Sequence, residues 1–161
     1  MYPEEVFPIK WLNHLKTELV DKHGYSPDDL LDMPQIETES TIGEAFALGH
    51  NWAVSLIGMV FITSRFWESY QEYEEAHGAW YAKRQYFALY SHEVYHALEQ
   101  REKGMFKYLI KYIPLMLRYG SRRGHPMERP AYALGDSILD GLQTEISEER
   151  LNGEPKQMPS L

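Results

Sequence analysis

The chain has 161 residues, 43 % of them hydrophobic and 25 % charged, with no cysteine and a formal net charge of −8. That length suffices for one domain with a core of its own, and the acidic balance argues against nucleic-acid binding, which needs a basic face. Without cysteine there is neither a disulfide framework nor a thiolate metal ligand, so any metal must be held by His and carboxylates.

The amino end, Met1-Tyr2-Pro3-Glu4-Glu5, lacks a basic-then-apolar leader pattern. The longest apolar run, residues 52–62, falls short of the roughly 20 residues of a membrane span. No membrane span is expected, and a soluble chain, cytoplasmic by default, is the expectation. Twelve Tyr and four Trp point to a ring-rich core or a ring-lined groove.

Apolar residues at Phe7, Trp11, Leu12, Leu15, Leu19 and Val20 predict an amphipathic N-terminal helix over about 4–22, closed by His23-Gly24. His14 and His23 read as surface or capping residues. Residues 25–41 read as a loop-rich connection, with a helix start at Ser26-Pro27-Asp28-Asp29 and a break at Met33-Pro34. Residues 44–63 read as the sheet region: 52–57 and 59–63 favour strand, Gly58 marks a turn or bulge, and 44–48 suit a strand or a short helix. One strand between Ala53 and Ile62 is expected to be an edge offering backbone groups to an extended peptide. The fold class is therefore α+β, mostly helical with a small sheet.

From Phe66 the pattern is helical in two pieces, divided at His77-Gly78. The first carries a solvated acidic face with Glu68, Glu72, Glu74 and Glu75. The second, about 79–103, closes at Lys103-Gly104; its Tyr86, Tyr90 and Tyr95 read as packing residues. Residues 105–119 form a basic amphipathic pattern, which Pro114 should kink or split. It is expected to pack over the preceding helix rather than lie on an anionic membrane. A basic turn over 120–124 precedes a last helix, about 128–151, with Leu134, Ile138, Leu142 and Ile146 on one face. One domain over 1–151 and a mobile tail, 152–161, complete the reading.

The chemistry concentrates in His92-Glu93-Val94-Tyr95-His96. On a helix, positions four apart lie about 40° from each other, so two imidazoles can meet one divalent ion with Glu93 one step round. Zinc-assisted hydrolysis needs such a pair, an open position and a carboxylate to take a proton from water. It also needs a third protein ligand from another segment. A histidine two turns further on is absent, since Glu102 stands there. A downstream carboxylate or His125 remains; Glu128 is placed to enter at the start of the last helix. Glu99 is the weaker candidate because it shares the helix of the two histidines.

The H-E-x-x-H run, Gly104-Met105-Phe106 with Tyr108, Tyr112 and Tyr119, and Pro126-Met127-Glu128-Arg129-Pro130-Ala131-Tyr132 together resemble the small gluzincins, compact zinc metallopeptidases. The strand-glycine-strand stretch from Ala53 is similar to theirs, and the likeness covers about half the chain. His125 stands for their usual Asn, Pro130 for Glu, and Glu99 for Gln; Pro130 should move or kink the start of the last helix. The resemblance implies a zincin-like domain with one Zn2+ per chain on His92, His96 and Glu128, and Glu93 as general base for peptide or protein substrates. Tyr132 and His125 are candidate oxyanion donors, and Asp136 or Asp140 a candidate partner behind an imidazole. The alternative is a non-catalytic binding or structural component of a larger assembly, with a protein partner.

Overall fold

The computed structural model describes residues 1–38, 40–46, 52–56, 58–120 and 124–151. The tail over 152–161 and part of the basic turn lie outside the described residues. Among the described residues, seven α-helices, α1 (Pro3–Val6), α2 (Ile9–His23), α3 (Thr41–Phe46), α4 (Ser64–His77), α5 (Ala79–Lys103), α6 (Met105–Tyr119) and α7 (Arg129–Leu151), and a short 3-10 turn (Pro27–Leu30) accompany strands β1 (Gln35–Thr38), β2 (Ala53–Leu56) and β3 (Met59–Ile62). The chain is α+β, as expected.

The N-terminal helix expected over 4–22 is interrupted. Proline disfavours helical backbone in the residue before it, and Phe7, ahead of Pro8, is extended at φ −115° and ψ 149°. The break has a packing use: Phe7 inserts its ring among Tyr86, Phe87 and Tyr90, with centroids 4.9, 4.9 and 5.3 Å away. Gly24, in the left-handed region at φ 74°, ends α2 by donating its N–H to the carbonyls of Leu19 and Val20.

The connection expected as loop contains β1, which pairs in parallel with β3 (Ile36 opposite Val60), while β2 pairs antiparallel with β3 (Ser55 opposite Val60). The order β1-β3-β2 puts β3 in the middle and leaves β2 as an edge. Of the two readings for residues 44–48, helix holds for the part described, within α3. Its Gly43 lies so close to β3 that a Cβ there would come within 2.7 Å of the Phe61 Cβ. α6 is continuous through Pro114, so the expected split does not occur.

α5 lies at the centre, touching α4, α6, α7, β2 and β3. Its buried Phe87, Tyr90, Val94 and Leu98 meet Trp11, Leu15, Leu19, Leu134, Ile138 and Leu142 from α2 and α7. Each such side chain contributes about 1.5–3 kcal/mol on burial. Directional bonds then fix its neighbours. Arg84 donates to the Leu139 carbonyl at 2.6 Å and to Gln143 Oε1 at 2.8 Å, both on α7. The Tyr90 hydroxyl donates to the Pro34 carbonyl at 2.9 Å, just ahead of β1. Gly135 allows α7 to approach closely, since a Cβ there would sit 3.3 Å from the Ala88 carbonyl. None of the described helices is long and apolar enough to cross a membrane.

Candidate metal centre

The motif falls in the middle of α5, where the helical repeat sets His92 and His96 edge to face with ring centroids 4.8 Å apart. The third group arrives from the turn that precedes α7. In that turn the Glu128 N–H donates to the His125 carbonyl at 3.0 Å, and the Glu128 carbonyl accepts the Tyr132 N–H at 2.9 Å. Glu128 thus opens the helix with its carboxylate directed back at α5. Its Oε2 lies 3.1 Å from His92 Nε2 and 3.2 Å from His96 Nε2, and the two nitrogens are 3.2 Å apart. Three donor atoms converge on one point, close enough to hold a single metal ion.

Hydrogen bonding alone leaves this triangle incomplete. Two imidazoles can both donate to the carboxylate, but their nitrogens then face each other without a bond along the third edge. A shared cation satisfies all three lone pairs at once, so the donor chemistry of the cluster suits a metal.

Around the triangle, each group has a second attachment. Tyr112 donates its hydroxyl to Glu128 Oε1 at 2.7 Å. Burial, then the Glu128 charge, raises the Tyr112 phenol far above its ordinary range and keeps it a donor. His96 Nδ1 lies 3.2 Å from the Tyr108 hydroxyl and 3.8 Å from Glu99 Oε2, and Glu99 in turn pairs with Lys103. Glu99 therefore lies beside the far nitrogen of His96 at ion-pair distance, outside the triangle of His92, His96 and Glu128.

The electrostatics follow the same pattern. Burial opposes ionisation of Glu128, yet hydrogen bonds from His92 and His96 more than offset it and hold the carboxyl well below the usual range. Burial likewise disfavours the charged form of His96, but Glu128 and Glu99 outweigh it, and the imidazole is pushed up to about 10. Glu93 goes the other way. It is 6 % exposed, and burial raises its carboxyl against the lowering influence of His92 and His96. Ser55 of β2 hydrogen-bonds to Glu93, and the Ser55 hydroxyl and carbonyl accept from Gln100 Nε2 at 3.3 and 2.9 Å.

No family model, curated protein or solved structure matches the chain. The site therefore rests on its own geometry.

His92, His96 and Glu128 are brought together, with Glu93 electrostatically coupled to all three. Tyr132 lays its ring against His92, centroids 4.6 Å apart. His125 is fully buried; its Nδ1 accepts the Met127 N–H at 3.1 Å and shapes the turn that presents Glu128, and its Nε2 has no hydrogen-bond partner among the described residues. Asp136 and Asp140 are exposed on α7, and the far nitrogen of His96 is served by Tyr108 and Glu99. The contacts of Tyr108, Tyr112 and Gln100 with the site are the features that the sequence reading missed. Tyr108 and Tyr112 were marked by the resemblance and by their four-residue spacing on a single helix face, whereas Gln100 carried no signal.

Proposed function

We propose that this chain is a zinc-dependent metallopeptidase of gluzincin type, with His92, His96 and Glu128 as ligands and Glu93 as the proton carrier. The observation that carries the reading is the triangle itself, set beside an intact, buried glutamate. Its edges of 3.1–3.2 Å are close to the roughly 3.3 Å edge of a tetrahedron with bonds of about 2.0–2.1 Å, the geometry of zinc with nitrogen and oxygen ligands. The downstream Pro126-Met127-Glu128-Arg129 sequence, similar to that of the small gluzincins, supports the same set.

A divalent ion held there acts as a Lewis acid and brings the pKa of a water down towards about 7. The protein groups supply the rest. Glu93, whose carboxyl is raised by burial, is suited to accept a proton from water as the oxygen attacks the scissile carbonyl. It returns that proton to the amine when the C–N bond breaks, so water is divided between the two products. Of the two candidate oxyanion donors, Tyr132 lays its ring directly against His92, while His125 holds the turn that presents Glu128. The β2 edge suits an extended peptide, which must bind around the Ser55 carbonyl already held by Gln100.

Metal analysis of purified protein tests the reading. One zinc per chain is expected, lost on His92→Ala or Glu128→Ala. Glu93→Gln should keep the metal and lose peptide hydrolysis by at least about a hundredfold. Purified protein that takes up no stoichiometric metal, or a Glu93→Gln variant as active as wild type, overturns it.

A further inference from the structure

α6 has a face that the metal centre does not use. At about 100° per residue, Phe106, Ile110, Ile113 and Leu117 fall on one stripe, and they are 76, 59, 46 and 79 % exposed. The opposite face carries Tyr108 and Tyr112 towards the ligands. Lys107, Lys111 and Arg118, all exposed, form a row about a quarter-turn from the stripe.

The charge around this helix runs against that of the molecule. Residues 103–127 contain Lys103, Lys107, Lys111, Arg118, Arg122 and Arg123 and no Asp or Glu, in a chain with net charge −8. The remaining cations are outnumbered by carboxylates, so the basic character is confined to the segment that also exposes the apolar stripe.

We propose that α6 docks on an anionic lipid surface, lying in the plane of the bilayer with Phe106, Ile110, Ile113 and Leu117 among the acyl chains and Lys107, Lys111 and Arg118 at the headgroups. A 15-residue helix spans about 22 Å, too short to cross a hydrocarbon core of about 30 Å but suited to an interfacial position. The long basic side chains can bury their stems and keep their charges at phosphate level. Antiparallel two-fold packing of α6 on a second copy is disfavoured, because it would put the two basic rows on the same side of the seam. The tail over 152–161 contains one Glu and one Lys, offering no net negative charge to pair with that row. An anionic bilayer supplies both the apolar depth and the opposite charge.

The test uses the full chain with vesicles of phosphatidylcholine alone and of phosphatidylcholine mixed with phosphatidylserine. Co-sedimentation is expected with the mixed vesicles, absent with the neutral ones, and weakened by added salt. Phe106→Ser with Leu117→Ser, and separately Lys107→Glu with Lys111→Glu, should each lower the apparent affinity about tenfold or more while leaving metal content and thermal stability at wild-type values. Wild-type protein that stays in the supernatant, or binding indifferent to both variant pairs, overturns the proposal. So does a dimer in size-exclusion chromatography that Phe106→Ser with Leu117→Ser converts to monomer, which assigns the stripe to a second copy. So, too, does vesicle binding that appears only after truncation at residue 151, which assigns it to the tail.

Discussion

Each ring nitrogen of His96 has its own neighbours: Nε2 meets His92 and Glu128, and Nδ1 meets Tyr108 and Glu99. Without a metal this arrangement favours a proton, because two carboxylates face one imidazole from opposite sides. With His96 pushed up to about 10 and Glu128 held low, the metal-free cluster is an ion pair at neutral pH. A cation must expel the His96 proton to enter. The sign is fixed by that exchange: below about pH 10 the proton is bound, so each unit of acidification should lower apparent metal affinity about tenfold. Calorimetric titration in buffers of different ionisation enthalpy should read about one proton released per ion at neutral pH. An affinity that does not change between about pH 6 and 8 would show that no proton competes with the metal.

At the scale of elements, small residues set the distances. Gly43 of α3 sits against the stem of Phe61 on the central strand. Gly43→Ala gains helix propensity of about 1 kcal/mol but overpacks this junction by roughly 1–3 kcal/mol. The net expectation is a loss of about 1 kcal/mol, seen as a lower urea midpoint at an unchanged slope; equal midpoints would mean that α3 simply shifts away. Such junctions also explain what could be read from the sequence. The ends of α5 were legible because glycines flank it, Gly78 and Gly104, at φ 92° and 79°, and the pairing of His92 with His96 follows from helical repeat alone. β1 was not legible: Gln35–Thr38 is four residues long and its partner β3 lies beyond an intervening helix and strand, so only tertiary pairing defines it. The break at Pro8 was written in the sequence, but the strong apolar period from Phe7 to Val20 masked it. Glu128 was found through its motif, whereas Tyr108 and Tyr112 reach the ligands only because of the angle that α6 takes after Gly104, and no local spacing encodes that angle.

At the scale of the whole molecule, α5 carries the core on one side and two ligands on another. Packing therefore places the histidines before any ion is present. The Glu18, Lys22 and Ser137 cluster adds a polar clamp between α2 and α7, with contacts of 2.7, 2.8 and 3.0 Å. The third group, Glu128, is buried too, but it stands at the mouth of α7, where its N–H and that of Arg129 are held by the His125 carbonyl of the preceding turn. An ion on the triangle would join this helix entrance to the most buried helix, and binding to the native state alone adds stability by mass action. Amide hydrogen exchange should register the join locally. In metal-free protein the N–H groups of Arg129, Ala131, Tyr132 and Ala133 should exchange with deuterium well ahead of those in the middle of α5, and adding zinc should slow the former while leaving the latter nearly unchanged. Equal slowing across both helices would mean that the start of α7 opens only with the whole fold. The position of one carboxylate at a helix entrance thus makes the order in which the protein exchanges its protons a record of whether the centre is loaded.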